Sequence, residues 1–172
     1  MKLVVADSSP LIALASSGHI DVLLTIIQEV VIPETVFQEC VTQNDKPGAK
    51  NILNAVRAGN IQKVDDPDIS AFRDIDDLDV GEACAISLAI TMKSAILIDD
   101  FIGRVVAKAH QVKVIGGCGI LLIAKQRGLI AAVKPVIDAW KEVIGYRLSD
   151  SLIADVLRKA GETPPPAGRN KF

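Results

Sequence analysis

The chain has 172 residues, 49% of them apolar and only 3% aromatic, with a formal net charge of −2. That length suits one domain with a full core, and the aliphatic, aromatic-poor mix suits parallel strands buried under helices. No apolar run approaches the ~20 residues of a membrane span, and Asp7 interrupts the opening run where a signal peptide would stay apolar, so a cytoplasmic protein without a membrane partner is expected.

Residues 3–6, LVVA, read as a short buried strand, and Asp7-Ser8-Ser9-Pro10 as its exit turn. Pro10 suits the first turn of a helix because its φ is already fixed there. A second helix is predicted over residues 20–27, a second strand over 30–32, and a helix ETVFQECV after Pro33. Pro47 and Gly48 break the chain before a helix ending near Gly59, and residues 61–64 form a third strand. The acidic segment 65–79 reads as a loop or a marginal helix. Asp79 and Glu82 then have the spacing of a capping box, opening a helix that runs through Met92. Residues 95–98, AILI, are the clearest strand and run into Asp99 and Asp100. A helix through His110, a strand over 112–115 and a Gly116-Gly117 turn follow. Residues 120–127 form a helix stopped by Gly128. In the next helix Leu129, Val133, Ile137, Trp140 and Ile144 recur at helical spacing as a core-facing stripe. Ser149 caps a last helix ending at Gly161, which closes a single domain over residues 1–161. The Pro-rich end, residues 162–172, is expected to be disordered.

Strands separated by helices imply right-handed crossovers and a mainly parallel sheet covered on both faces. Ligands then bind beyond the carboxyl ends of the strands, near the switch in strand order. That rule makes the acids at strand ends candidates for one site. Asp7 ends the first strand, where capping and turn bonding with Ser9 are the structural alternative. Asp99 and Asp100 end another strand. If it stays extended there, their side chains point to opposite faces, and Asp99, nearer the strand, is the favoured one. The capping box accounts for Glu82 unaided, yet the first turn of a helix at the sheet edge also lets a ligand reach inward. Glu39 sits among Val36, Phe37, Cys40 and Val41, where the alternative is a solvent-facing Glu. Three or four converging carboxylates repel one another unless a cation offsets them. Oxygen-only donors suit Mg²⁺ or Mn²⁺ rather than zinc, and such a centre assists phosphodiester cleavage.

Four ordered segments closely resemble the PIN-domain nucleases. The first runs from Val4 to Ala15 around Asp7-Ser8-Ser9-Pro10-Leu11-Ile12; the others are VIPETVFQECV, LDVGEACAISLA and ILIDDFIGRVVAKA. The nearest likeness is to prokaryotic PIN-like proteins that share the Asp-Ser-Ser-Pro-Leu-Ile start and a GEA helix, from about residue 2 to 160. The resemblance implies a three-layer α/β/α sandwich with a mainly parallel sheet. It implies metal-binding acids at Asp7, Glu39, Glu82 and Asp99 or Asp100, with Ser9 supporting the first Asp and Arg104 approaching the site or a phosphate. It further implies Mg²⁺- or Mn²⁺-dependent hydrolysis of single-stranded RNA by a metal-activated water, often as the toxin of a toxin–antitoxin pair. Many toxin members carry Asp at the place of Glu82, and several have Thr or Ser where this chain has Ile98. The expected partners are RNA, an antitoxin protein and a second copy of the chain, as in a dimer. The competing reading is a PIN-like module that binds nucleic acid or protein without catalysis.

Other features compete less well. Gly116-Gly117-Cys118-Gly119 before a helix could cradle a phosphate, but it lacks the Lys-Ser/Thr of a P-loop, and a plain strand-to-helix turn explains it. Neither His19 nor His110 lies in a nucleophile motif. The three cysteines form no CxxC pair, which argues against a thiolate zinc site. A receiver-like phosphoacceptor would want an acidic pair after strand one, and a haloacid-dehalogenase-like phosphatase would want Asp-x-Asp there; Asp7-Ser8-Ser9 supplies neither. Residues 1–100 hold 16 acids and 7 bases, whereas residues 101–172 hold 5 acids and 12 bases. A chain acidic at a metal site and basic elsewhere suits a phosphate-backbone partner, with Lys108, Lys113, Lys125 and Arg127 as candidates to line its path.

Overall fold

The computed structural model describes residues 1–42 and 47–162. Five strands, β1 (Leu3–Ala6), β2 (Glu29–Pro33), β3 (Ile61–Val64), β4 (Ala95–Leu97) and β5 (Val114–Ile115), pair wholly in parallel in the order β3-β2-β1-β4-β5. Their apolar runs are buried on both sides, as a parallel sheet between helices requires; Val4, Val5, Ala6, Ile96 and Leu97 have no exposed surface.

The described residues also form the helices α1 (Ser8–Ser16), α2 (Ile20–Ile26), α3 (Glu34–Val41), α4 (Ala49–Arg57), α5 (Val80–Met92), α6 (Phe101–Ala109), α7 (Gly117–Gln126), α8 (Lys134–Ile144) and α9 (Asp150–Lys159). The chain steps from β1 outward to β3, then crosses back past β1 to β4 and β5. Right-handed crossovers running in opposite directions put their helices on opposite faces. Accordingly α1 packs with α2, α4, α7 and α8, α5 packs with α6, and α3 adjoins both groups. The result is the expected α/β/α sandwich. No single helix among the described residues is long and apolar enough to cross a membrane.

Several boundaries differ from the sequence reading. Helix α1 starts at Ser8, so Pro10 is its third residue; it still falls where the backbone N–H has no intrahelical acceptor. Strand β5 is two residues long, because the Val112 N–H turns back to the Ala107 carbonyl at 2.9 Å and closes α6 instead. Helix α7 begins three residues early, at Gly117. Helix α8 begins only at Lys134, and Leu129 is 38% exposed, so it does not belong to the core stripe; Val133, Ile137 and Trp140 do. The acidic segment yields one 3₁₀ turn, Ser70–Phe72, whose buried Phe72 meets the His110 ring edge-on at 5.3 Å.

The tail expected to be disordered lies outside the described residues from 163 onward. Glu162, its first member in the sequence reading, is bonded to the domain: its carboxylate accepts from Lys125 Nζ (2.7 Å) and from the backbone of Val133 (2.7 Å) and Lys134 (2.9 Å).

Candidate metal centre

Strand order reverses between β1 and β4, so the ends of these strands flank the switch point where a crevice opens. The Asp7 N–H donates to the Leu97 carbonyl at 2.9 Å, which continues the β1–β4 pairing one residue past the sheet. Helices that follow or precede these strands begin at the same edge, bringing their first turns, and the donors there, to one place.

Asp7 is the deepest group, 1% exposed at the N-cap of α1. Among the described residues its Oδ1 has no hydrogen-bond partner, which is costly for a buried polar atom. Burial pushes its pKa well above the usual carboxylate range; Ser8 opposes the rise, and the charges of Glu82, Asp79 and Glu39 add to it.

Glu82 occupies the first turn of α5 as the capping box predicts. Its N–H donates to Asp79 Oδ1 at 2.7 Å, and its Oε2 accepts from the Asp79 N–H at 3.1 Å. The residue is also only 7% exposed, and burial, followed by the charges of Asp79, Asp100 and Glu39, pushes its pKa up to about 7 despite the bond from Asp79.

Glu39 reaches toward the same place from α3. Its carboxylate occupies the space beside Gly81 that a β-carbon there would need, so any side chain at 81 would have to displace it. Although the residue is largely exposed, its carboxyl is partly desolvated, and this raises its pKa; Ser8 offsets part of the rise, and Asp79 and Asp66 add to it.

Asp99 and Asp100 divide the work. Asp100 caps α6, accepting from the Gly103 N–H at 2.9 Å through Oδ2, and its charge reaches Glu82. Asp99 is held on the other side. The Gly117 N–H donates to Oδ1 at 2.9 Å and the Tyr146 hydroxyl to Oδ2 at 2.5 Å. Burial raises its pKa while Tyr146, Gly117 and the Arg104 guanidinium oppose the rise. The Gly116-Gly117 turn therefore does hold an anion, but the anion is the protein's own carboxylate. A β-carbon at Gly116 would meet Asp99 Oδ1 at 2.7 Å and Arg104 Nη1 at 2.9 Å.

The sequence-predicted acids thus converge at one edge, in two groups. Glu39, Glu82 and Asp79 act on Asp7, and Asp79, Asp100 and Glu39 act on Glu82, whereas Asp99 pairs with Tyr146, Gly117 and Arg104. Both groups border a cavity of about 600 Å³ whose walls include Ser9, Glu82, Asp99, Asp100, Arg104 and Tyr146. Ser9 is exposed there, and Ser8 is the serine that acts on Asp7 and Glu39. Arg104 makes no ion pair among the described residues, and neither does Asp100. Lys108 lies at the carboxyl end of α6, Lys113 just before β5 and Arg127 just after α7, each at the opposite end from the acids, and Lys125 is committed to Glu162.

The donor set fits a hard divalent cation. Glu82 and Asp100 each spend one oxygen on a backbone N–H of the fold, and among the described residues the other oxygen accepts no hydrogen bond; Asp7 Oδ1 is likewise unpartnered. Among the described residues no three such groups already stand close enough to enclose an ion. Tyr146 escaped the sequence reading because nothing in the sequence marks a Tyr 47 positions after Asp99 as its partner. The glycine of GEA was legible as part of a helix start, but not as the clearance that admits Glu39.

A family model described as a PIN domain matches residues 3–162. No curated protein and no solved structure matches the chain.

Proposed function

The chain belongs to the PIN-domain family, whose members are generally nucleases, and from that premise we propose that it is a divalent-metal-dependent endoribonuclease acting on single-stranded RNA. The observation that carries this reading is Asp7: a buried carboxylate with an unpartnered oxygen, at the switch point of a parallel sheet, within the field of three other acids.

Asp7, Glu82 and Asp100 would hold Mg²⁺ or Mn²⁺, with Glu39 closing the group from α3. When bound, such a cation stabilises charge on a phosphoryl oxygen and makes a water more acidic. The chain's own residues do the rest. The Tyr146 hydroxyl and the Gly117 N–H orient Asp99, so that it borders the cavity without swinging into it. Arg104, beside Asp99 and without an ion pair among the described residues, supplies positive charge where a phosphate would approach. The capping bonds of Glu82 and Asp100 hold one oxygen of each at the cavity's border and leave the other without a hydrogen bond among the described residues. On this reading the biological partners are RNA, an antitoxin protein that restrains the nuclease, and a second copy of the chain.

The test is cleavage of a labelled single-stranded RNA in Mg²⁺ or Mn²⁺. Wild type should cut, excess chelator should stop it, and Asp7→Asn should abolish it. Equal cleavage by Asp7→Asn would assign the activity to a contaminant. Binding of RNA without cleavage by wild type would leave a non-catalytic module.

A further inference from the structure

The cavity beside the acids has a second wall that metal chemistry does not use. It is formed by Phe101 in the first turn of α6, by Arg147 and Leu148 in the connection from α8 to α9, and by Leu152 in the first turn of α9. Phe101 is 75% exposed and Leu152 41% exposed, although both belong to residue types that a core would bury. Two separate helices thus bring uncovered apolar surface to one cavity, and Arg104 and Arg147 line the same cavity together with the carboxylates. Neither arginine makes an ion pair among the described residues.

A nucleotide has the complementary layout: an anionic phosphate at one end, a sugar, and a base with two flat apolar faces. A volume of about 600 Å³ lies within the usual range for small-molecule sites. We infer that this wall is a subsite for one unpaired nucleotide of the RNA, its base lying on Phe101 against Leu148 and Leu152 and its phosphate directed by Arg104 and Arg147 toward the acids. The inference rests on the nuclease reading and deepens it, because it explains why the substrate would be single-stranded. A base in a duplex has both faces covered by its neighbours and cannot lie on Phe101 while its own phosphate enters the crevice. An unpaired base can, since stacking on an aromatic ring is open to every base. A protein partner would also cover apolar surface, but it gives no reason for two arginines without ion pairs among the described residues to line one cavity with that surface and a set of acids.

Binding can be read apart from cleavage. A fluorescently labelled single-stranded oligoribonucleotide is titrated by anisotropy, in Mg²⁺, against Asp7→Asn protein, or Glu82→Gln if the first does not fold. Adding Phe101→Ala should weaken binding roughly tenfold, whereas Phe101→Trp should retain it. Arg147→Ala should weaken binding and flatten its salt dependence. Moving one abasic residue along the oligonucleotide should reveal a position where losing the base costs the parent protein affinity but costs the Phe101→Ala protein nothing. The subsite is overturned if Phe101→Ala leaves the dissociation constant unchanged, or if no abasic position separates the two proteins. A Phe101→Ala change that alters sedimentation but not RNA affinity also overturns it, and makes the wall a protein contact. Intact cleavage with an indifferent Phe101 would sink the subsite alone. Base-dependent binding without cleavage would sink only the nuclease.

Discussion

The carboxylate of Glu39 rests beside Gly81, so that residues 42 positions apart share a space that a β-carbon could enter only by displacing the carboxylate. Gly81→Ala would drive that carboxylate outward. The displaced group is the end of a flexible side chain, so the fold should tolerate the change, and alanine is the better helix former by about 1 kcal/mol. The expected outcome is an apoprotein at least as stable as wild type with a weaker response to Mn²⁺, measured as thermal melts with and without the ion. A large loss of apoprotein stability would show that Gly81 serves packing rather than Glu39.

A divalent ion that binds only the folded state stabilises it by RT ln(1 + [M]/Kd), about 2.7 kcal/mol at 100 times Kd. For a domain of this size that is an upward shift of roughly 5–11 °C in Tm. Asp7→Asn should remove most of this shift and raise the Tm of the metal-free protein, because a buried, repelled carboxyl loses its charge while keeping its shape. If Mn²⁺ leaves the Tm of wild type unmoved and Asp7→Asn destabilises the apoprotein, Asp7 is a helix cap and no more.

The same crowding gives the metal-free protein an unusual pH dependence. Glu82 titrates near 7 when folded, by burial first and by neighbouring acids after that, against an unfolded value of 4.5. Between those values the folded state holds more protons than the unfolded one, so stability falls as pH rises. Asp7, raised in the same direction, adds to the trend. Chemical denaturation in chelator should therefore give a higher midpoint at about pH 5 than at about pH 8, and Glu82→Gln should flatten the difference. A midpoint that rises over that interval would mean that the carboxyls are better solvated than their burial indicates.

Tyr146→Phe deletes one of the two groups that fix Asp99 and leaves the Gly117 N–H. Loss of a hydrogen bond to a charged group should cost about 1.5–3 kcal/mol of stability, measured by denaturation. The Asp99 pKa, already raised by burial, should rise further without the hydroxyl. Any activity that needs Asp99 ionised should then lose its acid limb at a higher pH than wild type does. A pH profile superimposable on that of wild type would make the hydroxyl a packing detail.

The sequence was most informative where a local rule acts. The alternation of apolar runs and helices pointed to the parallel sheet, and the spacing of Asp79 and Glu82 to a capping box that is present bond for bond. Asp7, Asp99 and Asp100 were legible as acids just past strands. The two-fold alternation of an extended strand could not assign Asp99 and Asp100, because β4 ends at Leu97 and the chain turns to cap α6. Leu129 looked like part of a helical stripe, but Gly128, at φ +72°, ends α7, and the Leu129 N–H closes it onto the Ala124 carbonyl. Tyr146, Arg147 and Phe101 depend on which loops the fold lays beside the crevice, and no periodicity encodes that.

The position of β1 at the middle of the sheet has a consequence for biosynthesis. Asp7 leaves the ribosome first, Glu39 follows with α3, Glu82 with α5 and Asp99 and Asp100 after β4, and the tyrosine that fixes Asp99 comes only after α8. Glu162, which ties α7 to the start of α8, comes later still. A nascent or prematurely terminated chain lacking these parts would hold Asp99 by the Gly117 N–H alone and would lack the cavity residues that lie beyond α8. The cavity is thus completed in order of synthesis: its acids are made first, and Tyr146, Arg147, Leu148 and Leu152, which also line it, are made last.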